Sequence, residues 1–313
     1  MHPNLGRLSL LCSEYIKVGS NFTVKTENMK GICALYDNET ELLESHIFPK
    51  FVVNYTKKTG SKYLRKFTEP NLRRQDALKL HLLSERAEQE FSLREKWFAE
   101  NIFTQYLNEK LELEYNENLY YFAVSFLWRI LVLELKRDEK INEQWYFDII
   151  IEAEKEWKKY LKEGIKPEVH KQFCLAFTDR VKENNTDLKS VDFYLTRVFD
   201  ATIADNEPKT CLLIYGKFNK FIFWAVLKNY GGEDKLEDVE INPNGGKFKI
   251  PQKLEYFPLL SLLGSRINLV DNMELPNEEQ QDKILKEILK NPKEFWDSDV
   301  GKSLFNDNYN LNK

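Results

Sequence analysis

Three side chains suited to hydrolytic chemistry stand in the first third of the chain. His46 follows a short, turn-rich segment, and an imidazole is the side chain that most often takes a proton from water in hydrolytic sites. Glu88 and Glu95 come later, seven residues apart, in a segment with helical spacing. Ser84 precedes Glu88 by four residues, so these three positions share one helical face. Carboxylates are hard oxygen ligands of Mg²⁺ and Mn²⁺.

A hairpin and a helix must position these groups. Asp37 and Asn38 stand between apolar flanks and predict a tight turn, because both residue types tolerate positive φ. The predicted hairpin ends near His46. A helix is predicted from Asp76 onward, with Asp76 as its cap. Its apolar positions are Leu78, Leu82, Leu83, Ala87 and Phe91.

The segment between the hairpin and the helix is the most basic part of the chain. Aromatic residues are interleaved with its cations, as on a surface that contacts phosphates with charges and bases with rings. The alternative is a solvated loop whose charges only keep it soluble. The candidate nucleic-acid-binding residues are Lys50, Lys57, Lys58, Lys62, Arg65, Lys66, Arg73, Arg74 and Lys79.

Composition limits the classes of protein to which the chain can belong. With 313 residues and a net charge of −4, it is long enough for one large or two packed domains and has no overall attraction for nucleic acid, so any such affinity must be local. The four cysteines lack paired spacing, which is typical of reduced thiols in a cytosolic protein. The N-terminus lacks the pattern of a signal peptide. We therefore expect a cytoplasmic protein.

The most apolar stretch, residues 119–135, predicts a buried helix. It is too short for a membrane span, and Arg129 and Glu134 interrupt it, so no contact with membrane is expected. A further helix is predicted from Asn142 to a Gly164 cap, and another from Pro167 to Val181.

Strand-forming residues dominate from about 191 to 250. Asn244-Gly245 there predicts a hairpin turn. Residues 276–292 form an amphipathic helical pattern, and the tail from 305 is expected to be loose. For residues 1 to about 30 the pattern predicts either short strands or an irregular segment that covers the fold.

These patterns predict an α+β fold with three parts. We expect an N-terminal unit at 1–107 that contains the hairpin, the basic segment and the candidate site. A helical bundle would occupy 108–189 and a small antiparallel sheet with a terminal helix would occupy 190–313.

The candidate site resembles the HNH, or ββα-metal, endonuclease superfamily. The likeness covers about residues 31–107 and is closest to a branch with the motifs SHI(I/F)PKF and LLCxxCExxFSxxE, several members of which are associated with prokaryotic antiviral defence. The matching residues are Ser45 to Phe51, Arg74 to Asp76, Lys79, Leu82, Leu83, Glu88, Phe91, Ser92 and Glu95. The resemblance implies a ββα-metal-like fold for the N-terminal unit.

The chain departs from this family at the two Cys-x-x-Cys knuckles that bracket the motif. Cys33 is kept, but Tyr36 stands at its partner position, and Ser84 and Ala87 occupy both positions of the second knuckle. Structural zinc needs four nitrogen or sulfur ligands. We therefore expect no structural zinc.

The resemblance implies a metal-dependent endonuclease that acts on DNA. His46 would be the general base, and Glu88 and Glu95 would bind Mg²⁺ or Mn²⁺. Ser45 replaces the usual acidic residue before the base, and Asp76 could complete the site. The protein would be the effector subunit of an antiviral defence complex, with a protein partner that recognises the target.

Two other functions remain open. The chain could be a catalytically decayed member that binds nucleic acid or serves as a scaffold. It could also be a module that binds proteins through the edge of its C-terminal sheet. For His46 and Glu88 the plainer interpretation is a hydrogen-bonded structural histidine and a solvated helix residue.

Overall fold

The computed structural model describes residues 13–14, 29–230 and 236–310, and these residues form an α+β fold, as the sequence predicts. The strands are β1 Ser13–Glu14, β2 Met29–Ile32, β3 Glu39–His46, β4 Leu64–Lys66, β5 Glu69–Arg74, β6 Lys79–Leu83, β7 Glu112–Tyr115, β8 Gln172–Phe177, β9 Asp200–Asp205, β10 Leu212–Phe218, β11 Phe221–Lys228 and β12 Gly246–Lys249. The helices are α1 Lys50–Lys58, α2 Glu85–Phe98, α3 Thr104–Leu107, α4 Glu117–Arg137, α5 Phe147–Glu163, α6 Val191–Arg197, α7 Phe257–Asp271, α8 Glu278–Lys290, α9 Pro292–Asp297 and α10 Asp299–Phe305. π-Helical turns span Ala99–Phe103 and Asn306–Asn310, and a 3-10 turn spans Ile141–Glu143. The expectation for residues 1 to about 30 lies almost entirely outside the described residues.

The N-terminal hairpin is confirmed. Strands β2 and β3 are antiparallel, Asp37 at the turn has a φ of 58°, and β3 ends at His46. Strand β6 pairs antiparallel with the other edge of β3, which brings Lys79 opposite His46. The hairpin and helix α2 are therefore joined through a third strand.

The predicted start of the helix at Asp76 is wrong. Residues 79–83 form strand β6, and α2 begins only at Glu85, with Ser84 as the cap that accepts a hydrogen bond from the Ala87 N–H. Leu78, Leu82 and Leu83 have helical spacing. The free edge of β3, however, offers backbone hydrogen-bond partners, and residues 79–83 pair with it as a strand. The basic segment is likewise ordered, as helix α1 and the β4–β5 hairpin.

Helix α4 lies in the core. It is the one described helix long and apolar enough to cross a membrane by length and composition, but 83% of that window is buried inside the fold. It packs closely on the sheet of order β8-β11-β10-β9, because a Cβ added at Gly216 in β10 would lie 2.7 Å from Phe126 Cε1 of α4. The burial identifies α4 as a core helix.

The sheet β8-β11-β10-β9 separates two hydrophobic clusters. Alternating residues of β11 point to opposite sides, with Phe223 in the cluster beneath α4 and Trp224 in the cluster beneath the C-terminal helices. The first cluster runs from Cys33 to Phe248. The core therefore crosses both expected boundaries, after 107 and after 189, and that division stays a prediction.

Four other local expectations were wrong. Residues 172–177 form strand β8 instead of a helix, because a strand buried on both faces is a continuous apolar run. Residues 191–197 form helix α6 instead of a strand. The Asn244-Gly245 turn forms, but the following strand β12 pairs with the distant β7. The tail up to 310 is a π-helical turn in which Asp307 is buried. The predicted helices ending at Gly164 and spanning the 276–292 region are confirmed as α5 and α8.

Candidate functional site

The four knuckle positions meet in space. Cys33, in the turn before β3, donates from Sγ to Ser84 Oγ at 3.4 Å and accepts from the Ser84 backbone N–H at 3.3 Å. The Arg86 guanidinium lies 4.5 Å from the centre of the Tyr36 ring, so Tyr36 covers the first turn of α2 beside the buried Ala87. Burial acts to raise the pKa of Cys33, but its contacts with Ser84 and nearby backbone groups hold that pKa below its ordinary value. One thiol and three other residues thus stand where the resemblance places four ligands.

His46 lies at the other end of β3 and is held by Asp76. Its Nε2 is 3.2 Å from Asp76 Oδ1 and 3.1 Å from Oδ2. Lys79, opposite His46 in the sheet, lies with Nζ 2.7 Å from Asp76 Oδ2 and 3.6 Å from Glu44 Oε2. Burial acts to raise the pKa of Asp76, but the hydrogen bonds from Lys79 and His46 outweigh it and lower that pKa. Asp76 is therefore an ionised anchor for the ring.

Helix α4 supplies a second support for the same strand end. Arg129, whose side chain is only 2% exposed, donates from Nη1 to the backbone carbonyl of His46 at 2.8 Å. Its Nη2 lies 2.8 Å from Glu95 Oε1 in α2. Arg129 thus joins the core helix, the helix that carries the candidate ligands and the strand that carries the candidate base.

Burial raises the pKa of Glu95. Arg129 lowers it in part, Glu88 raises it further through charge repulsion, and His46 lowers it. Glu95 is therefore within electrostatic range of both Glu88 and His46. Glu95, however, already has a cation as its partner.

Glu88 differs from the other two predicted residues. Its Oε1 is buried and has no hydrogen-bond partner among the described residues. A buried carboxylate oxygen without a partner is costly, so such an atom needs an explanation. Across the described ranges, however, no group of three or more His, Cys, Asp or Glu side chains could hold a metal ion.

Most of the nine predicted nucleic-acid-binding cations have partners within the fold. Arg65 is buried and donates to the Pro70 carbonyl at 2.6 Å. Five more cations have internal partners: Gln75 for Lys57, Glu69 for Lys66 and Arg74, Glu287 for Arg73, and Asp76 and Glu44 for Lys79. The three that stay exposed, without an ion pair to a described residue, are Lys50, Lys58 and Lys62.

Sequence reasoning missed the role of Arg129. Its signal was present, because a cation inside an apolar buried helix must have partners there. The sequence did not reveal that these partners would be Glu95 and the His46 carbonyl, since both lie far from Arg129 in the chain. The sequence also did not reveal that Lys79, predicted to bind nucleic acid, lies against Asp76.

The site thus combines an imidazole held by Asp76 with a helix carboxylate, Glu95, held by Arg129. Comparisons with protein-family models, with curated proteins and with solved structures found no match to the chain.

Proposed function

We propose that the protein is an HNH-like endonuclease that hydrolyses phosphodiester bonds of DNA. The observation that carries the proposal is the position of His46 at the end of β3, where Asp76 holds one ring nitrogen and Arg129 links the His46 carbonyl to Glu95 of α2. The close contact of Cys33 with Ser84 supports it, because a knuckle-like turn then faces the start of the helix as in the resemblance.

The hydrogen bond to Asp76 defines the tautomer of His46. Nε2 lies against an ionised carboxylate, so the ring proton resides on Nε2 and Nδ1 keeps its lone pair. The side chain is 18% exposed, so water can reach the ring. Nδ1 can therefore take a proton from an attacking water while Asp76 stabilises the resulting imidazolium.

A divalent cation is implied by the resemblance, and Glu88 fits it best. Its buried oxygen is free to bind, whereas Glu95 is paired with Arg129. Mg²⁺ commonly binds one or two carboxylates and completes its shell with water and substrate phosphate, so a dense cluster of protein ligands is not required. When bound, Mg²⁺ or Mn²⁺ would stabilise charge on the phosphate and the leaving oxygen.

Lys50, Lys58 and Lys62 are the cations available to the DNA backbone in this proposal. They lie in or just after α1, the helix that follows His46. Binding through a few phosphates would be weak, so a partner that recognises the target would supply affinity. A cytoplasmic effector subunit of an antiviral defence complex, as the resemblance implies, has these requirements.

The test is plasmid cleavage with Mg²⁺ or Mn²⁺ by the wild type, His46→Ala and a matched control, His81→Asn. His81 also lies in the sheet, and its Nδ1 donates to the Leu42 carbonyl, a bond that an asparagine amide can replace. We expect nicking by the wild type and the control, and a loss of at least a hundredfold in His46→Ala. Equal nicking by the wild type and His46→Ala would refute the proposal.

A second candidate is a decayed, non-catalytic nucleic-acid-binding subunit. It is favoured by the absence of a metal-holding group of three ligands within the described part of the chain. It predicts no cleavage, but DNA binding that weakens with salt and weakens further in Lys50→Gln, Lys58→Gln and Lys62→Gln. Calorimetric titration with Mn²⁺ separates the two candidates, because only the endonuclease predicts a site that Glu88→Gln abolishes.

A further inference from the structure

A groove on the C-terminal side of the fold has features that the proposed endonuclease activity does not use. It has a volume of about 970 Å³, close to the upper limit of ordinary ligand sites. Three aromatic and three cationic side chains line it, and none of the described residues along it is acidic. These six side chains are Trp296, Phe305, Tyr309, Arg180, Lys182 and Lys302.

The aromatic side chains form one exposed surface. Trp296, Phe305 and Tyr309 are 36%, 48% and 40% exposed. Phe305 and Tyr309 are stacked with ring centres 5.0 Å apart and an angle of 29°, and Trp296 lies edge-on to Phe305 at 6.5 Å. Isolated exposed apolar residues need no explanation, but three adjoining aromatic rings indicate a surface that contacts a partner.

The base of the groove is held rigidly. Arg180 donates to Asp192 Oδ1 at 2.8 Å, to Ser303 Oγ at 2.6 Å and to the Asp299 carbonyl at 2.9 Å. The Asn306 amide donates to the Val181 carbonyl at 2.8 Å. These bonds join the two segments that form the groove.

Two lysines supply positive charge that the fold does not neutralise. Lys182 and Lys302 are both exposed, and neither forms an ion pair with a described residue. Lys302 precedes Phe305 by three positions in α10, so the charge and the ring lie on the same helical face. Ring faces beside free cations match bases beside phosphates.

We propose that this groove binds single-stranded nucleic acid, with bases stacked on Phe305 and its neighbours and phosphates paired with Lys182 and Lys302. A single strand can use both features of the groove, because its bases stack on aromatic rings and its phosphates pair with lysines. An apolar peptide would leave the lysines without partners. The inference does not depend on cleavage at His46. The groove adjoins α1, however, because Tyr55 of α1 donates to Asp299 Oδ2, at the start of α10, at 2.6 Å.

The experiment is fluorescence anisotropy with the full chain and fluorescein-labelled oligothymidylate of about ten nucleotides, a length within the range that single-strand sites cover. We expect binding that Phe305→Ala weakens about tenfold, since one stacked base contributes about 1–3 kcal/mol and 1.4 kcal/mol is a factor of ten. Phe305→Tyr keeps a ring and should keep the affinity. Removing both lysines, with Lys182→Gln and Lys302→Gln, should reduce the slope of log affinity against log salt by about 1.4.

Two variants outside the groove serve as matched controls. Phe257 is an exposed phenylalanine at the start of α7, and Lys286 is an exposed lysine of α8. Phe257→Ala and Lys286→Gln should bind the oligonucleotide as the wild type does. Absence of binding at low salt, or equal affinity of wild type and Phe305→Ala, overturns the proposal. Equal binding of a labelled polyglutamate peptide also overturns it, because an acidic protein segment is then the better ligand.

Discussion

The turn before strand β3 and the end of that strand both contact helix α2 or its partners, yet their chemistry differs. At the turn, the contact between Cys33 and Ser84 involves only neutral groups and lies beside the buried Ala87. At the strand end, His46, Asp76 and Lys79 form a charged network. The contact at the turn is thus a thiol–hydroxyl contact, while the strand end carries an imidazole, a carboxylate and an ammonium group.

The two ends also differ in how they are held. Backbone hydrogen bonds hold the turn, since the Cys33 N–H donates to the Asn38 carbonyl at 2.9 Å and the Ala34 N–H to the Leu82 carbonyl at 3.0 Å. The charged network at the strand end should be more sensitive to substitution. A buried cation such as Arg129 requires its partners.

The largest expected effect comes from introducing thiol ligands at the turn. The variant Tyr36→Cys, Ser84→Cys, Ala87→Cys would give four thiols at positions that already meet around Cys33. We expect it to bind one Zn²⁺ with a dissociation constant below about 1 µM, since structural zinc sites reach apparent binding energies of about 10 kcal/mol or more.

Metal analysis after dialysis and thermal melting with and without Zn²⁺ measure this effect. The same variant with Cys33→Ser added is the control and should bind more weakly. If the triple variant binds no zinc, the knuckle-like geometry is incorrect.

The next effect concerns the charged end. Arg129→Met fills the same space but removes the donor to the His46 carbonyl and the cation beside Glu95. We expect a loss of about 2–4 kcal/mol in the free energy of unfolding, because breaking a buried ion pair leaves one charge without its partner. Urea denaturation measures it.

Arg94→Met in the neighbouring helix α2 is the control for this substitution. Arg94 packs over Tyr121 and donates to the Glu90 carbonyl, but it makes no ion pair with a described acid, so its loss should cost less. Equal destabilisation by the two substitutions would contradict a special role for Arg129.

The smallest effect depends on pH. Hydrogen bonds lower the pKa of Asp76 in the folded protein, so its ionised form stabilises the fold above the unfolded pKa of about 3.9, and this contribution disappears as the pH falls through the lower folded value. Asp76 is about one-third exposed, so we expect Asp76→Asn to cost about 1 kcal/mol or less at pH 7. The cost should shrink as the pH is lowered from 7 to 3.

Urea midpoints of the wild type and Asp76→Asn at both pH values test this sign. Asp282→Asn, at an exposed position of α8, is the control and should show no such change. A difference that grows toward acid would contradict an ionised Asp76.

The elements with strong local signals could be predicted from the sequence. The Asp37 turn, the core helix α4, the Gly164 cap of α5 and the amphipathic helix α8 all follow from turn chemistry, capping or periodicity. The elements that depend on distant partners could not. Strands β6 and β8 had helical or ambiguous patterns and became strands because β3 and β11 offered free edges.

The candidate site divides in the same way. The sequence by itself determined which residue types are present, namely an imidazole after a hairpin, carboxylates on one helical face and a single thiol, Cys33, in the hairpin segment. Only the tertiary structure decided which partners these side chains have. Asp76 holds the ring of His46, Arg129 forms an ion pair with Glu95, and Glu88 has one buried oxygen without a partner among the described residues. The physical reason is that the charge and hydrogen bonding of a side chain depend on its neighbours in space, and here those neighbours come from remote parts of the chain.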